Sequence, residues 1–200
     1  MKKLILSLVL LLAINLAYSQ ETIVDKNLET QGSAALLLEG TTFADKFIPS
    51  IGLRGGWTIN KKVFTGFDLN LLVPTVTLDN VASDPVMPTG IFGGLVVEPI
   101  IAGNDLVHFT IPITMGGGGI FYFLDWSVDE ELNAENDDLR DGTFFGYIEP
   151  GVSLEVNVFE RLRLGLGVGY RLTTKLDLDN TASDAFQGMN YQIILKFGKY

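Results

Sequence analysis

The chain has 200 residues, no cysteine, a single histidine and a formal net charge of -10. The lack of cysteine excludes disulfide staples, thiolate metal sites and a lipid anchor on a cysteine. With 24 acidic residues against 14 Lys and Arg, a nucleic-acid partner is not expected.

Residues 1–19 read as a secretory signal peptide: Lys2 and Lys3, an apolar run from Leu4 to Ala17 broken only by Ser7 and Asn15, then small residues at Ala17 and Ser19. The run is shorter than the roughly 20 residues a helical membrane span needs, and cleavage is expected before Gln20. Removing Lys2 and Lys3 takes the formal charge from -10 to -12. Past residue 20 no stretch is apolar for the roughly 18 positions of a spanning helix, whereas 22 glycines, 13 phenylalanines and frequent alternation point to strands.

Taken in chain order, candidate strands fall near 32–40, 46–59, 62–73, 89–102, 105–125, 143–157, 161–175 and 187–198. In the third, Val63, Phe67, Leu69, Leu71 and Val73 share one face, with Gly66, Asp68 and Asn70 on the other. The fifth opens with Val107, Phe109, Ile111 and Ile113 against His108, Thr110 and Thr114, and its run Gly116–Gly119 predicts a bulge or bend. The sixth sets Ile148, Val152, Leu154 and Val156 against Glu149, Ser153, Glu155 and Asn157. In the seventh, Leu162, Leu164, Leu166, Val168, Tyr170 and Leu172 oppose Arg161, Arg163, Gly165, Gly167, Gly169 and Arg171.

Tight turns near Asn60–Lys62, Gly103–Asp105 and Phe159–Glu160 alternate with longer connections near 74–88, 126–142 and 176–186. Short turns on one side and long loops on the other predict a single eight-stranded, antiparallel, up-and-down transmembrane β-barrel over residues 32–200, preceded by a periplasmic segment over 20–31. The loops then face outward from the cell, and outer-membrane lipid is the expected surrounding. Trp57, Trp126, Phe144, Tyr191 and Phe197 lie near strand ends, where aromatic girdles sit. A soluble lipocalin-like ligand-binding barrel would keep its apolar face inside. The polar face here is rich in glycine and poor in lysine, which suits a crowded interior rather than a wet exterior.

Leu78–Asp84 and Leu178–Asp184 carry nearly the same heptapeptide, 100 residues apart. Upstream, Thr42-Phe43, Phe47, Pro49, Ile51 and Leu53 align with Thr143-Phe144, Ile148, Pro150, Val152 and Leu154 at an offset of 101 with facing parity kept, which predicts a 4+4 barrel. Convergence under shared turn chemistry is the competing explanation.

An eight-stranded barrel has an interior just wide enough for side chains, so inward charges must pair. A hairpin centred on Lys61 sets Arg54 against Asp68. For the hairpin at 158–161, centring on Phe159 sets Glu155 against Arg163, and centring on Glu160 sets Glu149 against Arg171. The six residues predict a polar plug rather than a diffusion pore.

His108 is the only histidine, so multi-histidine zinc sites are not available. A Ser-His-Asp arrangement using Ser50 or Ser153 has no support in spacing, and no catalytic residue or cofactor is assigned. A lipid-modifying barrel enzyme would need Ser, His and a carboxylate near the outer leaflet, while His108 lies close to a short turn on the periplasmic side. The segment Asp125–Asp141 carries eight acidic residues against Arg140 alone. Asp129, Glu130, Glu131, Asp137 and Asp138, with Asp79, Asp84, Asp179 and Asp184, are candidate divalent-cation ligands on the rim, although no EF-hand spacing occurs.

Assembled, the chain resembles the small outer-membrane β-barrel families called "porin family" or "outer membrane protein beta-barrel domain", of the OmpA/OmpX size class. The segments Gly146-Tyr147-Ile148-Glu149-Pro150-Gly151-Val152-Ser153-Leu154-Glu155-Val156 and Arg161-Leu162-Arg163-Leu164-Gly165-Leu166-Gly167-Val168-Gly169-Tyr170-Arg171 carry the resemblance as a barrel hairpin. The last strand, with Tyr191, Ile193, Leu195 and Phe197, looks like the signal by which such proteins reach the barrel-assembly machinery, departing from it in ending Gly198-Lys199-Tyr200. The resemblance implies a non-enzymatic barrel with a structural or surface-contact role; the extracellular partner is not read from the sequence.

Overall fold

The computed structural model describes residues 29–79, 85–124 and 139–198. The signal segment, its cleavage point, most of 20–31, Trp126 and the candidate ligands Asp84, Asp129, Glu130, Glu131, Asp137 and Asp138 lie outside them.

Nine strands are formed: β1 (Thr30–Phe43), β2 (Lys46–Ile59), β3 (Val63–Leu72), β4 (Val86–Ile101), β5 (Val107–Thr110), β6 (Ile113–Leu124), β7 (Leu139–Phe159), β8 (Leu162–Thr173) and β9 (Gly188–Gly198). Each pairs antiparallel with its neighbours, and β1 pairs with β9, so the sheet closes on itself. Closure removes the exposed hydrogen-bonding edges that a membrane would not tolerate.

The expected fifth strand is two elements, because Pro112 has no N–H to give to a ladder. The register is nonetheless continuous: β5 and β6 both pair with β4 and with β7, and no residue is gained or lost at the break. Ile111 N–H donates to Pro99 O (3.0 Å) and Gly151 N–H to Pro112 O (2.8 Å), which carries the pairing across the gap. The described residues therefore form nine strands and eight staves. Three strands begin earlier than expected, at Thr30, Val86 and Leu139; the last two shorten long connections, so β4 and β7 rise further at the loop end, while the first extends β1 at the short-turn end.

The turns follow from backbone chemistry. Ala44 and Asp45, and again Asn60 and Lys61, are paired residues with positive φ, the signature of type I′ turns whose twist matches that of antiparallel strands. The run Gly116–Gly119 does not bulge, contrary to expectation: its register with β4 is unbroken from Ile113 to Leu124, and the shift lies at Tyr122/Phe123, opposite Arg140. These glycines serve close approach instead. A Cβ on Gly116 would run into the Gly93 carbonyl, and one on Gly118 into Phe92. On the outward face, the Phe47 ring covers Gly40 and the Phe121 ring covers Gly142, so aromatic rings shield bare backbone.

The two heptapeptides lie in the β3–β4 and β8–β9 connections, four staves apart, and Leu78 and Leu178 are both buried in one apolar cluster. Ile51 and Val152 both face out, while Arg54 and Glu155 both face in. The Phe43/Phe144 match fails: Phe43 is buried and Phe144 is 79% exposed. Phe43 sits on the stave before the Ala44–Asp45 turn, whereas Phe144 shares β7 with Ile148, so the two are not equivalent.

Candidate functional site: the lumen and the loop end

Alternation along each stave sends one side-chain set inward and the other out. The outward set is apolar: Leu53, Phe67, Leu69, Leu95, Met115 and Leu166 are all more than half exposed. Trp57, Phe159 and Phe197 stand exposed near the short turns, and Phe47, Phe144 and Tyr191 nearer the long connections. The inward set includes Glu39, Arg54, Asp68, Glu98, His108, Glu149, Glu155, Arg163, Arg171 and Lys196, every one buried. This is the reverse of a soluble carrier.

The register decides which inward charges meet. Arg54 stands opposite Asp68 across the β2–β3 hairpin, with Nη2 3.3 Å from Oδ2, and its Nη1 reaches Glu98 Oε2 at 3.1 Å. The β7–β8 hairpin takes the register centred on Glu160. Arg171 Nε accordingly donates to Glu149 Oε2 at 2.7 Å, and Glu155 faces Gly165 rather than Arg163. Arg163 still approaches Glu155 on the diagonal, at 3.9 Å.

Sequence reasoning missed the contacts that cross the lumen. Lys196 on β9 donates to Glu98 on β4 (2.7 Å) and to Glu155 on β7 (2.5 Å). Glu155 also holds His108 Nε2 at 3.1 Å. Glu149 accepts from Asn190 (2.8 Å) and Gln192 (3.2 Å), and Glu39 from Ser50 (3.3 Å). The usable signal was parity: Glu98 follows the inward Phe92 and Val96, and Lys196 follows the inward Gln192 and Ile194. With five carboxylates facing four Lys and Arg side chains and one histidine, the ionic layer is close to neutral, as burial demands.

Above this layer the lumen turns apolar. Phe43, Phe92, Ile120, Tyr122, Phe145 and Tyr147 line it, and the β8–β9 connection drops Leu176, Leu178 and Phe186 into its centre. The Phe186 ring packs against Phe145 (5.3 Å between centroids), Phe92 (5.5 Å) and Phe43 (6.0 Å). Arg171 is the floor on which the two layers meet. Its guanidinium lies 4.5 Å from the Phe92 centroid and 4.4 Å from that of Phe186 while holding Glu149 below. The expected polar plug is thus only half of the filling.

The connection is also tied at its surface. Tyr122 Oη and the Thr181 hydroxyl are 2.7 Å apart, Asp179 N–H donates to Asp141 Oδ2 (2.7 Å), and Ala44 N–H donates to Ala185 O (3.1 Å). Of the rim residues with candidate cation roles, Asp79, Asp179 and Asp184 are described. The structure gathers no group of three or more His, Asp or Glu fit to hold a metal among the described residues.

His108, buried at 0% exposure, is engaged by Glu155, and no hydrogen bond joins it to Ser153 or Ser50; the Ser50 hydroxyl is given to Glu39.

No family model matches the chain, and no curated protein matches it either. Solved structures do match. Neisserial surface protein A superposes with a TM-score of 0.56 at 10% identity, over 86% of this chain and 98% of that one. Ail, the attachment invasion locus protein of Yersinia pestis, matches with a TM-score of 0.50 both in complex with the heparin analogue sucrose octasulfate (11% identity, 87% and 99% covered) and alone (10%, 86% and 97%). At such identities the likeness is one of fold. The chain shares the closed, all-antiparallel fold of the small bacterial outer-membrane β-barrels.

Proposed function

We propose that the chain is a non-enzymatic barrel resident in the outer membrane, with its short turns toward the periplasm and its working surface on the outer loops. One observation carries the reading: an apolar exterior wrapped around a lumen that is filled along its length, ionic below and aromatic above. The apolar belt favours lipid, and the filling leaves no route for solutes. Contacts with the surroundings then fall to the loops.

The rim has a sign. The connections 74–85, 125–138 and 174–187, with Arg140 and Asp141, hold thirteen acidic residues and two basic ones. A polyanion such as the heparin analogue bound in the Ail structure would be repelled; a basic protein surface or dissolved cations suit it better. Outer-membrane lipid is the proposed surrounding, and the barrel-assembly machinery the proposed partner in biogenesis, addressed through the outward Tyr191, Ile193 and Phe197 of β9. The non-enzymatic reading draws on His108, whose ring is buried and held by Glu155.

Membrane fractionation combined with gel migration before and after heating tests the placement. A heat-modifiable band in the outer-membrane fraction is expected. Release into buffer without detergent would overturn it.

A further inference from the structure

Several inward polar atoms, Arg54 Nε, Asn70 Oδ1 and Asn190 Oδ1 among them, lack a partner among the described residues, and at one level three such atoms stand on adjacent positions. His108 Nδ1, Thr110 Oγ1 and Ser153 Oγ have no hydrogen-bond partner among the described residues. Their side chains are inward and buried, at 0%, 0% and 2% exposure.

The register makes the three neighbours. Thr110 stands opposite Ser153, and two residues along the same face His108 stands opposite Glu155. On the other flank of β7, Ser153 faces Gly167 and Glu155 faces Gly165, so β8 sends no side chain into this part of the lumen. A Cβ on Gly167 would come within 2.5 Å of Ser153 Oγ, which shows the hydroxyl lying against bare backbone. The level is therefore polar on two staves and empty of side chains on the third.

Two hydroxyls and a ring nitrogen shut away from bulk solvent are costly unless each finds a partner, and folded proteins meet that need with protein groups or ordered water. A buried water takes about two to four polar partners. We propose that His108 Nδ1, Thr110 Oγ1 and Ser153 Oγ form a built site for an ordered water molecule inside the barrel. The imidazole fixes the order of bonds: Nε2–H donates to the Glu155 carboxylate, and Nδ1 is the nitrogen turned to the water.

The site also has a direction. Arg163 connects Glu155 to the short-turn mouth, which Lys61, Asn104, Asn157 and Glu160 line. The aromatic cluster closes the opposite end.

Because His108 is the only histidine, nitrogen-15 labelling of histidine reports on one ring. The experiment uses the full mature chain in lipid nanodiscs and reads magnetisation transfer between water and the His108 ring. A water contact at Nδ1 is expected in the unmodified protein. The double variant Thr110→Val/Ser153→Ala should weaken it at least severalfold, and Gly167→Ala, which presses a methyl group on the hydroxyl, should weaken it as well. No water contact in the unmodified protein, or a direct coupling between the Ser153 hydroxyl and Nδ1, overturns the site. So does a signal that the double variant leaves unchanged. The measurement on the unmodified chain decides the matter even if a variant fails to fold.

Discussion

The two halves of the lumen solve one packing problem with opposite chemistry. The half near the short turns is held by strand residues alone, and its charges meet across the barrel axis, as in Lys196 to Glu98. The half near the loops is held partly by a connection, whose Leu176, Leu178 and Phe186 complete a core begun by the strands. The lower half is thus closed by the barrel itself, whereas the upper half is closed by a segment that has to dock. Ions impose geometry in the first; apolar area sets the strength of the second.

Arg171, shared by both halves, offers the sharpest way to break the comparison. Arg171→Met leaves Glu149 and Glu39 without their cation and takes the floor from under Phe186. A loss of about 3–5 kcal/mol is expected in urea unfolding from detergent micelles. A loss below about 1 kcal/mol would mean that the halves are independent.

Phe186→Ala should act on the upper half alone. Deleting a buried phenylalanine costs about 3 kcal/mol or more, and here the cost falls on docking of the connection. Faster trypsin cleavage after Lys175 is expected while the barrel band on an unheated gel persists. Loss of the barrel band itself would show that the lid and the wall fold as one.

The wall tests the comparison between inside and outside. Leu69 points outward and is 53% exposed. Leu69→Arg should cost about 2–4 kcal/mol when folding is measured in bilayers, because a guanidinium then sits in hydrocarbon. An unchanged folding free energy in vesicles would contradict the lipid-facing assignment. Smallest of all, Tyr122→Phe removes the Thr181 contact and should cost about 1 kcal/mol, read as a modest gain in cleavage after Lys175; a rate equal to that of the unmodified chain would show that this hydroxyl contact adds nothing to docking.

Facing was legible in the sequence wherever a stave alternates without interruption. The Leu162 to Leu172 run and the inward Arg163, Gly165, Gly167, Gly169 and Arg171 stand as period two requires. Local register was legible too, because Arg54 and Asp68 are joined by one short turn whose length fixes what stands opposite. Contacts between staves that are not neighbours were hidden. No turn links Glu98 to Lys196, and which side of a cylinder meets which depends on closure and tilt. The aromatic half was hidden for another reason: Leu176, Leu178 and Phe186 lie past the end of β8, where strand periodicity no longer tells inward from outward. The glycine run misled because glycine permits both a bulge and close approach, and the sequence alone does not separate the two.

The acidic rim has a kinetic meaning as well as an electrostatic one. To turn over in the bilayer, the barrel would have to drag thirteen carboxylates and the polar backbone of its long connections through hydrocarbon, whereas the opposite end presents only short turns. In the proposed placement the acidic end crosses the hydrocarbon once, during insertion, and once across it has no low-energy path back. The sidedness of the molecule is therefore stored as a one-way barrier, set when the barrel closes.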